Sequence, residues 1–451
     1  MSKIIKIRKG LDISLKGNAE KVLMKSPVSG SYAVKPTDFK NLVPKLMVKE
    51  GDRVLAGTPL FTDKNCPEIV FASPVSGAVS AIVRGDKRKL LEVVVVPSKE
   101  QECLSFDVQP IEKLSADQVK SLMLQSGAWT FLKQRPYGIV ANPNDQPKAI
   151  FISGFDSAPL APDMDYTLTG EKEAFQAGID ALRKLTPGVI HIGLDNQVSA
   201  TSILQKIKGV EITTFAGKHP AGNVGIQIHH ISPVKKGDII WTIDPQHVVS
   251  LGRLFLKGVY DVAKVIALTG SEVKSPRYFR MIAGGNINAL SNQIETKNNP
   301  RYISGNVLTG TNIGAKGHLG FYDNVITVIP EGDYYEFLGW ANPLRLKKYS
   351  TSRSYLSGLF PKKKYTMDAN LNGSQRPFIM TGQYEKVLPM DILPVYLLKA
   401  IIADDIEKME QLGIYEVIEE DLALCEFVCT SKIEVQALLR KGIDSMIKEM
   451  A

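Results

Sequence analysis

Cysteine is scarce in this chain: 451 residues hold four, at positions 66, 103, 425 and 429. So thin a set makes no disulfide framework and points to a reducing compartment. Long apolar runs are missing too. The most apolar stretches are strand-sized, such as Leu90–Pro97, or are broken by charge, as Leu397–Ile402 is by Lys399. A membrane helix needs about 20 such residues in a row. The basic start, Met1 to Gly10, leads into no apolar h-region, which argues against a secretory signal. Glycine and proline, 36 and 25 residues, form no low-complexity tract. Neither charge sign dominates: a net +8 permits nucleic acid, an anionic membrane surface or an acidic partner and selects none of them. What is left is an ordinary globular composition, 44% hydrophobic and 23% charged. One core stops growing at about 250–300 residues, so several domains are expected, in a cytoplasmic protein.

What is present begins with a repeat. Ser-Pro-Val-Ser-Gly occurs at 26–30 and again at 73–77, each copy leading into a strand-like stretch. Between them, Gly51-Asp52 and Gly57-Thr58 are turn signals around a short alternating strand, and Leu60-Phe61 opens the next. From about Met24 to Pro97 this resembles the biotinyl/lipoyl module, whose pattern K-x-G-D-x-V-x-x-G-x-x-L with a later S-P-V-x-G is matched almost throughout. Lys64 in Thr62-Asp63-Lys64 stands where a lipoyl acceptor lysine would. Asn65-Cys66-Pro67 follows it, however, the spacing to Ser73 is long, and no Glu-Ala-Met-Lys-Met occurs, so Lys64 reads as a surface lysine.

Ser115 with Gln118 makes a capping box for a short helix that stops at Gly127, and a polar, proline-rich link runs from Ala141 to Pro147. The pattern then turns to alternating strands and helices: strands at 149–153, 189–193, 210–215 and 262–269, helices at 171–184, 200–208 and 245–256, the last with Asp244 as N-cap and Pro245 at its first position. That alternation predicts a parallel, Rossmann-like sheet. Short strands at 278–283, 301–304 and 325–329 among glycine turns suggest a β-grasp-like unit. Pro394 opens a helix expected to run to Gly413, and Ser431 with Glu434 reads as the capping box of the last helix. The expected architecture is therefore an α/β multidomain chain. It has a biotinyl/lipoyl-like β-barrel with an N-terminal extension (1–110), a helix and linker (111–147) and a Rossmann-like α/β domain (148–270). A small β-grasp-like domain (271–335) follows, then a basic segment with a mainly helical C-terminal domain (336–451).

Three features could carry chemistry. Gly217, Lys218, His219, Gly222 and Gly225 make a glycine-rich turn after a strand, where backbone N–H groups can approach a phosphate. The turn is neither G-x-G-x-x-G nor a P-loop. Ile226-Gln-Ile-His-His-Ile231 after it alternates like a strand, so the helix that completes such a site is not expected. Nucleotide binding and a structural or partner-contacting loop both stay open. Four of the six histidines, His219, His229, His230 and His247, fall in the same region. His229 and His230, adjacent on a strand, would point to opposite faces and not converge on a metal. Cys425 and Cys429 supply two thiolates where a cubane cluster needs four ligands. Finally, positions 341–366 hold Arg345, Lys347, Lys348, Arg353, Lys362, Lys363 and Lys364 with no acid, interleaved with Tyr349, Tyr355, Phe360 and Tyr365. That composition suits a membrane surface or a protein partner, and no nucleic-acid motif accompanies it.

Taken together, several stretches resemble the A subunit of the bacterial sodium-translocating NADH:quinone oxidoreductase. They are Ser126–Pro136, Gly217–Gly222, Trp241–Ile243, Gly252–Phe255, Arg301–Gly310, Pro389–Pro394 and Leu424–Cys429. The resemblance implies a peripheral subunit on the cytoplasmic side of the bacterial inner membrane, seated on membrane-embedded and peripheral partner subunits. FAD, FMN and iron–sulfur centres are expected in those partners, with none tightly bound here and a quinone at the interface. It implies NADH:quinone reductase activity for the complex and none for the isolated chain. Kinship with the C subunit of the Rnf complex implies the alternative, a soluble flavin- or NADH-binding oxidoreductase using Gly217–Gly225.

Overall fold

Two small antiparallel sheets form where the early turn signals stand. One is Tyr32–Val34, Leu90–Pro97, Gly77–Arg84 and Arg53–Val54; the other is Pro44–Leu46, Pro59–Asp63 and Val70–Ala72. In this computed structural model, which describes residues 4–25, 27–339, 345–351, 355–360 and 362–450, they close over Leu60, Phe61, Phe71, Val75, Val79 and Val93. Ser26 and Arg353 lie outside the described residues. Gly51 and Gly57 adopt φ of +91° and +95°, and the Asp52 carboxylate accepts from the Lys49 N–H, which fixes the turn. The two pentapeptides take different jobs. Val75 of the second is buried in the core, whereas Val28 of the first faces solvent and Ser29 donates to the Asn286 carbonyl outside the small sheets. Lys64 is exposed in the turn after Pro59–Asp63.

The central sheet has seven strands: β1 (Ile4–Ile7), β2 (Lys133–Arg135), β3 (Ile139–Val140), β4 (Ala149–Ser153), β5 (Val189–Asp195), β6 (Glu211–Gly217) and β7 (Ile240–Thr242). Their order is β1-β6-β5-β4-β7-β2-β3, with β2 and β3 antiparallel additions to a parallel set. Alternate residues of β4 enter different cores, as a two-residue period requires. Ile150 and Ile152 pack with helices α2 (Lys172–Leu185) and α4 (Pro245–Lys257), which lie beyond α1 (Ala116–Ser126) in the same core. Ala149 and Phe151 pack with α3 (Val224–Ile231) and with Leu397, Leu398 and Leu439 of the C-terminal helices. These are α5 (Pro394–Ile402), α6 (Ile406–Gln411) and α7 (Val435–Met450), so the C-terminal part supplies the second layer of the sheet.

Several expectations need correction. Residues 226–231 are helical, not a strand: β7 runs parallel to β4, so the chain leaving β6 must cross back, and α3 is part of that crossover. The helix expected at 200–208 shrinks to one 3-10 turn, Leu204–Lys206. Ser199, Thr201 and Ser202 bond locally through their hydroxyls and compete with helical pairing. The strand at 263–269 joins a second sheet, antiparallel to Arg277–Ile282 and parallel to Val325–Pro330. The single helix expected from Pro394 breaks after Ile402, where Asp404 takes φ +55° and Asp405 caps α6. Ser431 forms no capping box because α7 starts at Val435; the Glu426 carboxylate accepts from the Gln436 N–H instead. The capping box at Ser115 and the left-handed Gly127 at φ +81° form as read.

Helices α2 and α4 cross at a glycine pair. A methyl on Gly178 would stand 2.2 Å from the Val248 carbonyl oxygen, and one on Gly252 1.7 Å from that of Ala174. Alanine at an open mid-helix position stabilises by up to about 1 kcal/mol over glycine. Here overpacking reverses the sign, and Gly252→Ala is expected to destabilise by about 1–3 kcal/mol. Urea unfolding of the two chains checks this; an unchanged or raised midpoint would contradict the close crossing.

Candidate functional site

A cleft of about 230 Å³ opens at the carboxyl ends of β4 and β7. The order of the parallel strands reverses there, since β5 and β6 lie on one side of β4 and β7 on the other. In open α/β sheets ligands bind at that switch point. Ser153, Phe155 and Asp156 line the cleft from the end of β4, and Thr242 and Asp244 from the β7–α4 junction. Lys133 and Arg135 enter from β2, and Tyr322, Asp323 and Asn324 from the loop before Val325–Pro330.

Of the five loop residues singled out in the sequence, His219 and Gly222 reach the cleft. Gly217 ends β6, where a Cβ would stand 2.5 Å from the Ile7 carbonyl oxygen of β1, and Lys218 is exposed away from the cleft wall. His219 is buried, with Nδ1 3.0 Å from the Ser157 hydroxyl and its backbone N–H donating to Asp12. Burial alone pulls its pKa down to about 4. The Gly222 N–H donates to the Ser157 hydroxyl, and a Cβ there would stand 2.5 Å from the Ser157 nitrogen. Gly225 sits in the first turn of α3, and a Cβ on it would be 2.3 Å from an Asp421 carboxylate oxygen. The space these two glycines leave is occupied by the chain's own side chains and backbone.

The charged groups of the cleft are not evident from the sequence. Arg135, 2% exposed, donates to Asp421 at 2.6 Å and Glu420 at 2.8 Å. The Lys133 ammonium stands 3.6 Å over the Tyr322 ring, and burial lowers its pKa. Burial raises Asp156 and Asp244; the latter accepts from the Gln246 N–H and from Asn324. Behind them Lys264 donates to the Phe321 carbonyl and is pushed down to about 8 by burial. Asp244 is legible as a helix cap and is that too. Nothing local in Lys133-Gln134-Arg135 marks it as a cleft wall; β2 reaches the cleft only through its pairing with β7, which leaves Lys133 half-buried and Gln134 and Arg135 buried.

The remaining candidates disperse. His229 and His230 lie on α3, not on opposite faces of a strand, and their rings meet edge to face 5.2 Å apart. His229 pairs with Glu416 and accepts from the Asp391 N–H, while His247 stacks on Phe131. Among the described residues no group of three or more His, Cys, Asp or Glu could hold a metal. Cys425 and Cys429 are buried, and the Tyr384 hydroxyl donates to the Cys429 sulfur. In the basic segment, Glu336 takes up Arg345 and Lys348; Lys363 donates to the Leu346 carbonyl and Lys364 to Asn18. Lys347 and Lys362 are exposed.

His219 gives the site a pH signature. The unfolded chain takes up its proton near the ordinary value of 6.5, the folded chain only near 4. Stability therefore falls as pH drops through that window, by up to about 1.4 kcal/mol per pH unit from this one group. His219→Asn should remove that share of the slope between pH 6.5 and 4 in unfolding free energies; parallel slopes for the two chains would show that His219 titrates normally.

Residues 5–98 match the family model described as the NqrA N-terminal barrel-sandwich hybrid domain, 114–260 the NqrA second alpha/beta domain, and 265–315 the NQRA C-terminal domain. The A subunit of the Na(+)-translocating NADH-quinone reductase of Rhodopirellula baltica is 37% identical, covering 99% of this chain and 98% of that protein. Its namesakes from Neisseria meningitidis serogroup A and Pasteurella multocida are each 38% identical, over 99% of this chain and 100% of theirs. A likeness to a solved NAD+-reducing nickel–iron hydrogenase is slight, with a TM-score of 0.38 and 11% identity over 74% of this chain and 61% of that one. With relatives at 37–38% identity along 99% of its length, the chain belongs to the NqrA family, the A subunits of the Na(+)-translocating NADH-quinone reductases.

Proposed function

We propose that this chain serves a sodium-translocating NADH:quinone reductase as a peripheral, cytoplasmic-side component near the quinone-reducing end, with no tightly bound redox cofactor of its own. Membership of the NqrA family supports the role in the complex. No helix among the described residues is long and apolar enough to cross a membrane, which fits a peripheral position. The observation that carries the cofactor reading is the filled glycine turn. A backbone that cradles a phosphate must leave its glycines open toward the ligand. At Gly222 and Gly225 that space is taken by Ser157 and by the Asp421 carboxylate. The flavins and iron–sulfur centres then belong to partner subunits. The cleft of about 230 Å³ is smaller than the about 300–1,000 Å³ typical of ligand pockets. It suits a quinone head group at its mouth, with Lys133 as donor to a carbonyl oxygen and Phe155 and Tyr322 as flanking rings.

The alternative, a flavin or NADH held by the 217–225 turn, draws support from the switch-point position and from α3 following the turn after all. The absorption spectrum of the purified chain separates the two. Gel filtration should leave no flavin bands; bands that persist at near-equal stoichiometry would overturn the cofactor-free reading. For the quinone, photolabelling of the assembled complex with a quinone analogue should mark the peptides holding Phe155 or Tyr322. Label confined to partner subunits would remove the quinone from this cleft.

A further inference from the structure

The stretch from Tyr334 to Lys364 leaves large apolar side chains uncovered. Tyr335 and Phe337 are 105% and 93% exposed, Leu359 is 72% exposed, and Leu338 and Phe360 are more than half exposed. These residues sit on two arms that come together. Arg345 pairs with Glu336 on the first arm and faces the Tyr355 ring of the second at 5.6 Å, and Lys363 donates to the Leu346 carbonyl. Two other rings, one in the segment and one just after it, point inward and hold it to the body. Tyr349 meets Tyr365 at 5.5 Å and Phe427 at 6.2 Å, and Tyr365 is buried beside Leu15. The segment is thus fastened at its base, with its outer rings and leucines facing out.

Charge narrows what could meet that face. Within 334–364 the single acid, Glu336, is engaged by Arg345 and Lys348. Lys347, Lys362 and Lys364 are exposed beside the apolar residues. Protruding rings and leucines among lysines, with no free carboxylate among the described residues of the segment, match the chemistry of an interfacial membrane contact: apolar tips enter the headgroup–acyl boundary while ammonium groups meet phosphates. Leucine side chains, lacking any polar tip, make a membrane a better match than water.

We propose that this face rests on the bilayer itself, with Tyr335, Phe337, Leu338, Leu359 and Phe360 entering an anionic lipid surface and Lys347 and Lys362 contacting its headgroups. The inference deepens the peripheral placement proposed above by naming lipid as the partner of this segment. Vesicles contain no partner subunits, so its failure would leave the role in the complex standing, and failure of that role would leave this test valid.

The test is co-sedimentation of the full chain with phosphatidylethanolamine–phosphatidylglycerol vesicles and with phosphatidylcholine vesicles, at low salt and at about 0.3 M salt, where the Debye length has shrunk below about 8 Å. The wild-type chain should partition onto the anionic vesicles and keep part of its binding at the higher salt. Phe337→Ser with Phe360→Ser should lose the salt-resistant part, at least about tenfold in partition coefficient, or about 1.4 kcal/mol. Lys347→Glu with Lys362→Glu should lose the salt-sensitive part. Circular dichroism and unfolding midpoints matching wild type keep misfolding from mimicking these losses. A wild-type chain that stays in the supernatant with every vesicle, or a serine variant that partitions like wild type, overturns the proposal and leaves the face to a protein partner.

Discussion

A single buried guanidinium ties three parts of this molecule together. Arg135 sits on β2, near the antiparallel end of the central sheet, and its partners Glu420 and Asp421 come from a turn nearly three hundred residues later. The Asp421 carboxylate also accepts from the Ile418 N–H and abuts Gly225 in the first turn of α3. Taking two charges out of water is expensive, and breaking such a pair on one side typically costs about 3–5 kcal/mol because the other charge is stranded. The C-terminal helices therefore do not merely lean on the sheet. Their hydrophobic contact with Ala149, Phe151 and Phe215 is locked in register by this pair.

That lock also decides what the glycine turn can do. The first turn of a helix carries a partial positive charge and unpaired N–H groups, which is why anions gather there. Beside the first turn of α3 lies the Asp421 carboxylate, held by Arg135 and the Ile418 N–H rather than by an N–H of α3. Gly225 is needed because the carboxylate comes so close. Glycines after a strand suggest a ligand's phosphate; here the same geometry serves an intramolecular carboxylate.

The legible parts of the fold are those whose signals are local. The Ser115 capping box, the Gly127 stop, the Asp244-Pro245 helix start and the Gly51-Asp52 turn each depend on residues a few positions apart. The misreadings share the opposite cause. Residues 226–231 alternate over too few positions for periodicity to separate strand from helix, and only the parallel pairing of β7 with β4 demands a crossover. The strand at 263–269 is legible, but its neighbours in the second sheet are not, because pairing partners are set by contacts far along the chain. The same holds for the cleft. His219 and Gly222 are visible as a turn, whereas Lys133 and Arg135 reach the cleft only through the long-range pairing of β2 with β7.

The cleft's charges also set its chemistry apart from that of an open phosphate site. Asp156 and Asp244 sit where burial disfavours their ionised forms, and Lys133 and Lys264 where burial disfavours theirs. Burial is the leading cause of all four shifts, and each runs toward the neutral form of its group. Asp156, Asp244 and the Arg135–Glu420 pair line the cleft together with Lys133. The cleft and the filled glycine turn share one residue, since Arg135 bonds Glu420 at the cleft and Asp421 beside Gly225.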